Sequence, residues 1–127
     1  MTLKVAFVVP DRQLWSGEAR MVIAKTTEGD IGVLTGHAPL FGALAEGSTV
    51  EILDPDGEGN APIWAAVSGG FLSVDSGADG SQVSILAAEA VFASEVDTSW
   101  AEEAAGSQDD ATAAKYAQAQ LRARDQA

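Results

Sequence analysis

The residues able to do chemistry are few, and most sit in two glycine-rich stretches. Residues 28–41, EGDIGVLTGHAPLF, hold the single histidine, His37, and two carboxylates, Glu28 and Asp30, on either side of Gly29. As a general base His37 would need a positioned partner and a pocket, and the sequence shows neither. A loop histidine between Gly36 and Pro39 is read first as a pin for the turn, and second as a contact residue. Glu28 and Asp30 stand too close in sequence to straddle a substrate as an acid–base pair, so they read as a solvated turn. Residues 68–73, SGGFLS, look slightly like a nucleophile turn at Ser68. They fall between two apolar strand-like runs, where a glycine pair more simply makes a turn or bulge.

Other chemistries are excluded by composition. One histidine rules out a two-histidine metal motif, and no carboxylate spacing supports a site built on His37. There is no cysteine, which removes disulfides, thiolate ligands and thiol catalysis and fits a reducing compartment. No GxxxxGK and no GxSxG is present. The reading is of a non-catalytic chain, with no catalytic residue, no metal and no cofactor. Nineteen acidic residues against seven basic give a net charge of −12 over 127 residues. That balance argues against nucleic acid, which needs clustered Lys and Arg, and against adsorption to an anionic membrane. The opening MTLKVAFVVPDRQ is too short in its apolar run for a signal peptide. No run approaches the roughly 20 apolar residues of a membrane span, so no direct membrane insertion is expected.

The elements that must position these residues follow two patterns. From Leu3 to about Ala93 short runs alternate with a period of two and are punctuated by glycine. LKVAFVV places Leu3, Val5, Phe7 and Val9 on one face; EARMVIAKT places Ala19, Met21 and Ile23 on one face and Arg20 on the other. STVEIL, PIWAAV (a core run containing Trp64), FLSV and QVSILA continue the style, with turn signals such as DPDGEGN (residues 54–60) between them. Many short alternating runs at regular spacing predict an antiparallel sandwich or barrel. After Ala93 alanine replaces glycine. Asp97, Thr98 or Ser99 can cap a helix of about two turns that stops at Gly106. Ser107 and Asp110, at capping-box spacing, precede a second, alanine-rich helix. Its apolar face, Ala113, Tyr116, Ala117 and Leu121, is thin and buries little area, which predicts a loosely packed appendage.

Three segments in order, LWSGEA (residues 14–19), EGDIGVLTGHAPL (28–40) and SGGFLSV (68–74), resemble the epsilon subunit of F-type ATP synthases. VSILAAEA (83–90) and the alanine-rich helices extend the likeness over almost the whole chain, and the AQLRAR ending is similar to actinobacterial members. The resemblance implies a β-sandwich of about ten strands over residues 1–93 and a helical hairpin over 94–127, mostly β with an α appendage. It implies a rotor subunit of the central stalk, peripheral on the cytoplasmic face of the cell membrane, coupling proton-driven rotation to ATP synthesis. Its partners would be the gamma subunit, the ring of c subunits and, through the C-terminal helices, the catalytic beta and alpha subunits, whose ATP hydrolysis those helices restrain. Carried over by residue, Glu28, Gly29, Asp30 and His37 would meet the c ring.

The helices depart from that pattern. Members that bind ATP carry (I/L)DxxRA at the first helix; here VDTSWA keeps Asp97 and Ala101 but has Trp100 for arginine. An indole cannot supply fixed positive charge to phosphates, so Asp97, Trp100 and Ala101 are expected to form at most a vestigial nucleotide site. Lys115, Arg122 and Arg124 in the last helix either complement the helix dipole or contact acidic segments of the catalytic subunits. Two other readings compete. A stand-alone sandwich module for a ligand such as carbohydrate would present a flat aromatic platform. A small hydrolase would use Ser68 and His37 with an acidic partner.

Overall fold

Alternating apolar residues make a strand whose one face can be buried, and the described residues form ten strands. The computed structural model describes residues 3–34, 39–53, 55, 61–77, 80–96, 98–106 and 111–126. Its strands are β1 (Leu3–Val9), β2 (Arg12–Ala19), β3 (Met21–Thr26), β4 (Gly29–Leu34), β5 (Leu40–Leu44), β6 (Ser48–Leu53), β7 (Ile63–Val67), β8 (Gly70–Gly77), β9 (Gly80–Ala87) and β10 (Ala90–Phe92). A one-turn 3-10 helix (Ala93–Glu95) leads to helices α1 (Thr98–Ala105) and α2 (Ala111–Gln126).

Hydrogen bonding joins the strands in the order β10-β7-β6-β3-β5-β8-β9-β1-β2, with β4 on β3. All pairs are antiparallel except β1 with β9, which run parallel. The two halves of this path meet at a narrow seam, where β3 and β5 share the single register pair Thr26–Leu44. Two backbone bonds flank it, from the Thr27 amide to the Ala43 carbonyl at 3.0 Å and from the Ala45 amide to the Lys25 carbonyl at 2.8 Å. Around that seam the sheet folds over on itself, enclosing one core. Leu3, Val5 and Phe7 from β1, Leu72 and Val74 from β8, and Val83 and Ile85 from β9 pack there with Val22, Val50, Ile52 and Val67.

The parity expected for β1 holds to Phe7; a register shift between Phe7 and Val8 then leaves Val9 half-buried. In β3 it is reversed. Val22 and Ala24 are fully buried, while Met21 and Ile23 lie half-buried on the outer face. The chain bends at Arg20, where β2 ends and β3 begins, and in crossing between the two halves of the sheet it exchanges faces. Trp64 likewise is only half-buried, on the outer face of β7, whereas Ala65 and Val67 fill the core. The 54–60 turn lies outside the described residues apart from Pro55, which is buried; the strands on either side pair antiparallel, with Ile52 opposite Ile63.

The hairpin is packed more closely than its sequence predicts. Ala114, Tyr116, Ala117, Ala119, Gln120 and Ala123 of α2 are all buried. Tyr116, Ala119 and Ala123 form a second cluster with Ala66 and Ala93, and Trp64 and Val91 pack against it. Strand β7 is therefore covered on both faces. Small residues on both sides let helix and sheet backbones approach, so the gain comes from closeness rather than area. Gly106 follows α1 without left-handed backbone. The Gln118 side-chain amide donates to the Ala105 carbonyl at 3.2 Å, satisfying one of the acceptors that a helix end leaves open.

Candidate docking surfaces

Register fixes the acidic turn. Thr26 of β3 pairs with Gly29 of β4, leaving Thr27 and Glu28 as a two-residue connection. The Thr26 hydroxyl donates to the Gly29 carbonyl at 2.7 Å and accepts from the Glu28 amide at 3.2 Å. Gly29 has φ +126°, a value that a side chain would resist. Glu28, Gly29 and Asp30 are all exposed, and Asp30 stands opposite Lys25 in the register. His37 lies outside the described residues. The turn forms one wall of a cleft of about 450 Å³ whose other wall is β5, from Leu40 to Ala43.

Phe41 links this cleft to a second surface. It is 67% exposed and stacks on Phe71, which is 48% exposed, with ring centroids 5.4 Å apart and planes inclined by 19°. Leu86, 44% exposed, stands opposite Phe71 in the register of β8 and β9, and Val8 of β1 stands opposite Leu86. Exposed apolar side chains drawn together from three adjacent strands, with the half-buried Val8 of β1 beside them, mark an interaction surface. Sequence reasoning did not find this patch. A usable signal is present, because FL and IL each put two apolar residues in succession on a strand, and only one of each pair can face the core.

The other candidates are placed as follows. Ser68 is a structural pin. Its hydroxyl accepts from the Glu89 amide at 3.0 Å and its amide donates to the Glu89 carbonyl at 2.9 Å. A Cβ on the neighbouring Gly70 would collide with the Leu86 carbonyl, so the glycine pair serves a close turn. Asp97 lies outside the described residues; Ala101 is fully buried, and Trp100 is 42% exposed and meets Tyr116 edge to face at 6.3 Å. Lys115 and Arg124 are exposed, while the Arg122 guanidinium donates to the Gly47 carbonyl at 2.8 Å. Beside Arg122, a cleft of about 230 Å³ is lined by Ile23, Lys25, Thr49, Glu51 and Trp64. Burial there raises the Glu51 carboxyl above its ordinary value. No three His, Asp or Glu residues cluster to hold a metal among the described residues. No helix of the structure is long and apolar enough to cross a membrane.

Residues 2–93 match the family model of the ATP synthase delta/epsilon chain β-sandwich domain. An ATP synthase epsilon chain of Streptomyces avermitilis is 48% identical over 124 residues, covering 95% of this chain and 94% of that one. The epsilon chain of Corynebacterium glutamicum is also 48% identical, over 121 residues, with 95% and 91% covered. The fold is shared with a chain of the Euglena gracilis mitochondrial ATP synthase, at TM-score 0.65 and 23% identity, covering 98% of this chain and 78% of the other. A chain of the Tetrahymena thermophila central stalk and c ring superposes at TM-score 0.59 and 16% identity, with 99% and 92% covered. The chain belongs to the delta/epsilon family of ATP synthase subunits. Its role is that of an epsilon chain, a non-catalytic subunit of ATP synthase. That role replaces the carbohydrate-module and hydrolase readings.

Proposed function

We propose that this subunit couples rotation of the c ring to the catalytic head through two adjoining surfaces, one polar and one apolar. The observation that carries the reading is the position of Phe41, which lines the cleft beside Glu28 and Asp30 and also stacks in the apolar patch. The acidic turn, Glu28 to Asp30 with His37 beyond it, meets the polar loops of the c ring. Carboxylates at such a rim set register and association more than affinity. The patch of Phe41, Phe71 and Leu86 takes the gamma subunit, where buried aromatic side chains act as anchors. The subunit is held by these contacts, peripheral to the cytoplasmic face of the membrane. The 1–93 sandwich is the coupling domain and the 94–127 hairpin the regulatory one. When the hairpin leaves the sandwich, Arg122 is released to join Lys115 and Arg124 in contacts with the catalytic beta and alpha subunits, restraining hydrolysis.

Reconstitution with separately tagged gamma and c-ring components separates the two surfaces. Phe41→Asp with Phe71→Asp abolishes capture of gamma. Glu28→Lys with Asp30→Lys retains gamma but weakens assembly with the c ring, and both variants keep the folded sandwich. If the charge reversals leave c-ring assembly and coupling intact, the acidic turn is not the docking loop. Truncation after Gly106 accelerates ATP hydrolysis by the assembled enzyme; unchanged hydrolysis would remove the inhibitory role.

A further inference from the structure

The cleft beside Arg122 is built from two rows of sheet residues and one helix. Glu51 of β6 stands between Ile23 of β3 and Trp64 of β7 in the register, so its carboxylate rises from an apolar row. Two residues along their strands, Lys25 and Thr49 share that face, and Arg122 reaches the cleft from α2. Thr49 is only 8% exposed, yet its hydroxyl has no hydrogen-bond partner among the described residues. A buried donor left unmade is costly, and this one lines the cleft. The half-buried Trp64 indole N–H is unpaired there too. Lys25, Glu51 and Arg122 share one small space, but among the described residues none of them forms an ion pair. Arg122 places one donor on the Gly47 carbonyl at 2.8 Å and keeps the others. Burial raises the Glu51 carboxyl with no cation offsetting it.

Unlike charges that share a cleft without meeting leave room for a ligand carrying both signs. A lone anion would satisfy Lys25, Arg122 and Thr49 but face the Glu51 carboxylate, and a lone cation would satisfy Glu51 but face two cations. The row of Glu51 and the row of Lys25 and Thr49 lie two residues apart, about 7 Å along the strands. A small zwitterion spans that interval with a charged hydrogen bond of about 2.8 Å at each end. At about 230 Å³ the cleft is smaller than the roughly 300 to 1,000 Å³ of sites for drug-sized ligands, and too small for a nucleotide. We infer that the cleft binds a free α-amino acid with an apolar side chain. Its carboxylate accepts from Arg122, Lys25 and the Thr49 hydroxyl, its ammonium group donates to Glu51, and its side chain lies against Ile23 and Trp64. A residue within a peptide is rejected, because peptide bonds neutralise both charges on its α-carbon. The site requires only the docked hairpin, whatever that hairpin does in the assembled enzyme.

The test uses the full chain and the NMR signal of the Trp64 indole N–H, assigned with Trp64→Phe. L-Leucine is titrated against isocaproate, which lacks its ammonium group, and isoamylamine, which lacks its carboxylate. Leucine moves the Trp64 signal saturably and leaves that of Trp100 in place. Each truncated analogue binds at least about tenfold more weakly, the factor expected for one lost hydrogen bond between charged groups. Glu51→Gln weakens leucine by a similar factor and leaves isocaproate unchanged. Thr49→Val, which keeps the buried shape without the hydroxyl, weakens leucine and isocaproate alike. At about ten times its Kd leucine slows α2 amide exchange roughly tenfold, because a detached α2 takes Arg122 out of the site. No saturable shift of Trp64, binding of isocaproate or isoamylamine as tight as that of leucine, unchanged leucine affinity in Glu51→Gln, or α2 exchange indifferent to leucine would overturn the assignment.

Discussion

At Gly47 helix α2 presses on the sandwich with no room for one further carbon atom. A Cβ placed there stands 2.5 Å from the Lys115 carbonyl carbon and Cβ and 2.6 Å from the Lys115 carbonyl oxygen. The turn is braced, since the Gly47 amide donates to the Ser68 carbonyl at 3.2 Å and the Ser48 hydroxyl to the Ala45 carbonyl at 2.8 Å. In Gly47→Ala the helix is therefore the part that yields, by about 1 Å, enough to forfeit up to half the dispersion well of each contact beneath it. The contacts affected are those of Tyr116, Ala119 and Ala123 with the sheet, together with the Arg122 bond to the Gly47 carbonyl. Backbone at φ +63° costs alanine about 1 kcal/mol, the charged hydrogen bond is worth about 1.5 kcal/mol, and loosened packing adds a similar amount. A total of roughly 3 to 4 kcal/mol exceeds what holds a short alanine-rich helix in place on its own. The expected result is a detached hairpin on an intact sandwich. Amide exchange reads this directly: α2 amides speed up by roughly a few hundredfold while those of β6 and β8 are unchanged. Gly47→Asn separates the causes, because asparagine tolerates left-handed backbone but carries the same Cβ. Wild-type protection of α2 in Gly47→Ala would show that this contact does not seat the helix. Protection restored by asparagine would assign the effect to backbone strain alone.

Three further outcomes follow from the same geometry. Tyr116 is the chain's one tyrosine, so tyrosinate absorbance at alkaline pH reports it alone, with a midpoint near 12 rather than 10. Because the folded value is raised, its contribution to stability is complete below pH 10 and is lost as pH rises through 12; a midpoint at 10 would mean an undocked hairpin. The Glu51 carboxyl is also raised, by burial, so its contribution is present below the ordinary value of 4.5 and lost as pH rises past the raised one. Glu51→Gln accordingly stabilises the fold at neutral pH, and denaturant midpoints of the two proteins converge below pH 4.5. Calorimetric titration of the isolated chain with ATP gives no tight binding. Trp100→Arg does not restore it, since Glu46 and Glu89 line the same cavity as Trp100; tight binding by either protein would refute this.

Strands were legible where both ends of a run stay in one half of the sheet. In β8 and β9 the period-2 text marked FLSV and QVSILA as strands, and Leu72, Val74, Val83 and Ile85, which share a face by that period, are buried. It failed across residues 19–24 because the face exchange at Arg20 depends on which half each strand joins. Met21 and Ile23 are as apolar as Val22 and Ala24, so local composition carries no sign of the switch. The acidic turn was legible as an exposed turn because its geometry is local, set by Thr26, Glu28 and Gly29 within four residues. The hairpin's tight docking was not. Alanine count reports helix propensity, whereas the closeness of α2 depends on Gly47 and Ala66, which are small and distant in sequence.

The apolar patch was missed for a related reason that bears on how the two surfaces work together. Phe41, Phe71 and Leu86 lie in three separate runs, and only the lateral order β5-β8-β9 brings them to one outer face. The seam between the sheet halves then sets that face beside the acidic turn, because β3, which leads into the turn, bonds to β5, which carries Phe41, through Thr26 and Leu44. A perturbation at this seam is shared by both surfaces, whereas one in the middle of β8 reaches only the patch. Phe71→Ala therefore weakens gamma capture alone, and a bulky residue at Gly42, where an added Cβ would already touch the Thr26 methyl group at 3.9 Å, weakens both gamma capture and c-ring assembly. Selective loss of gamma capture in a Gly42→Val variant would show that the two docking surfaces are mechanically independent.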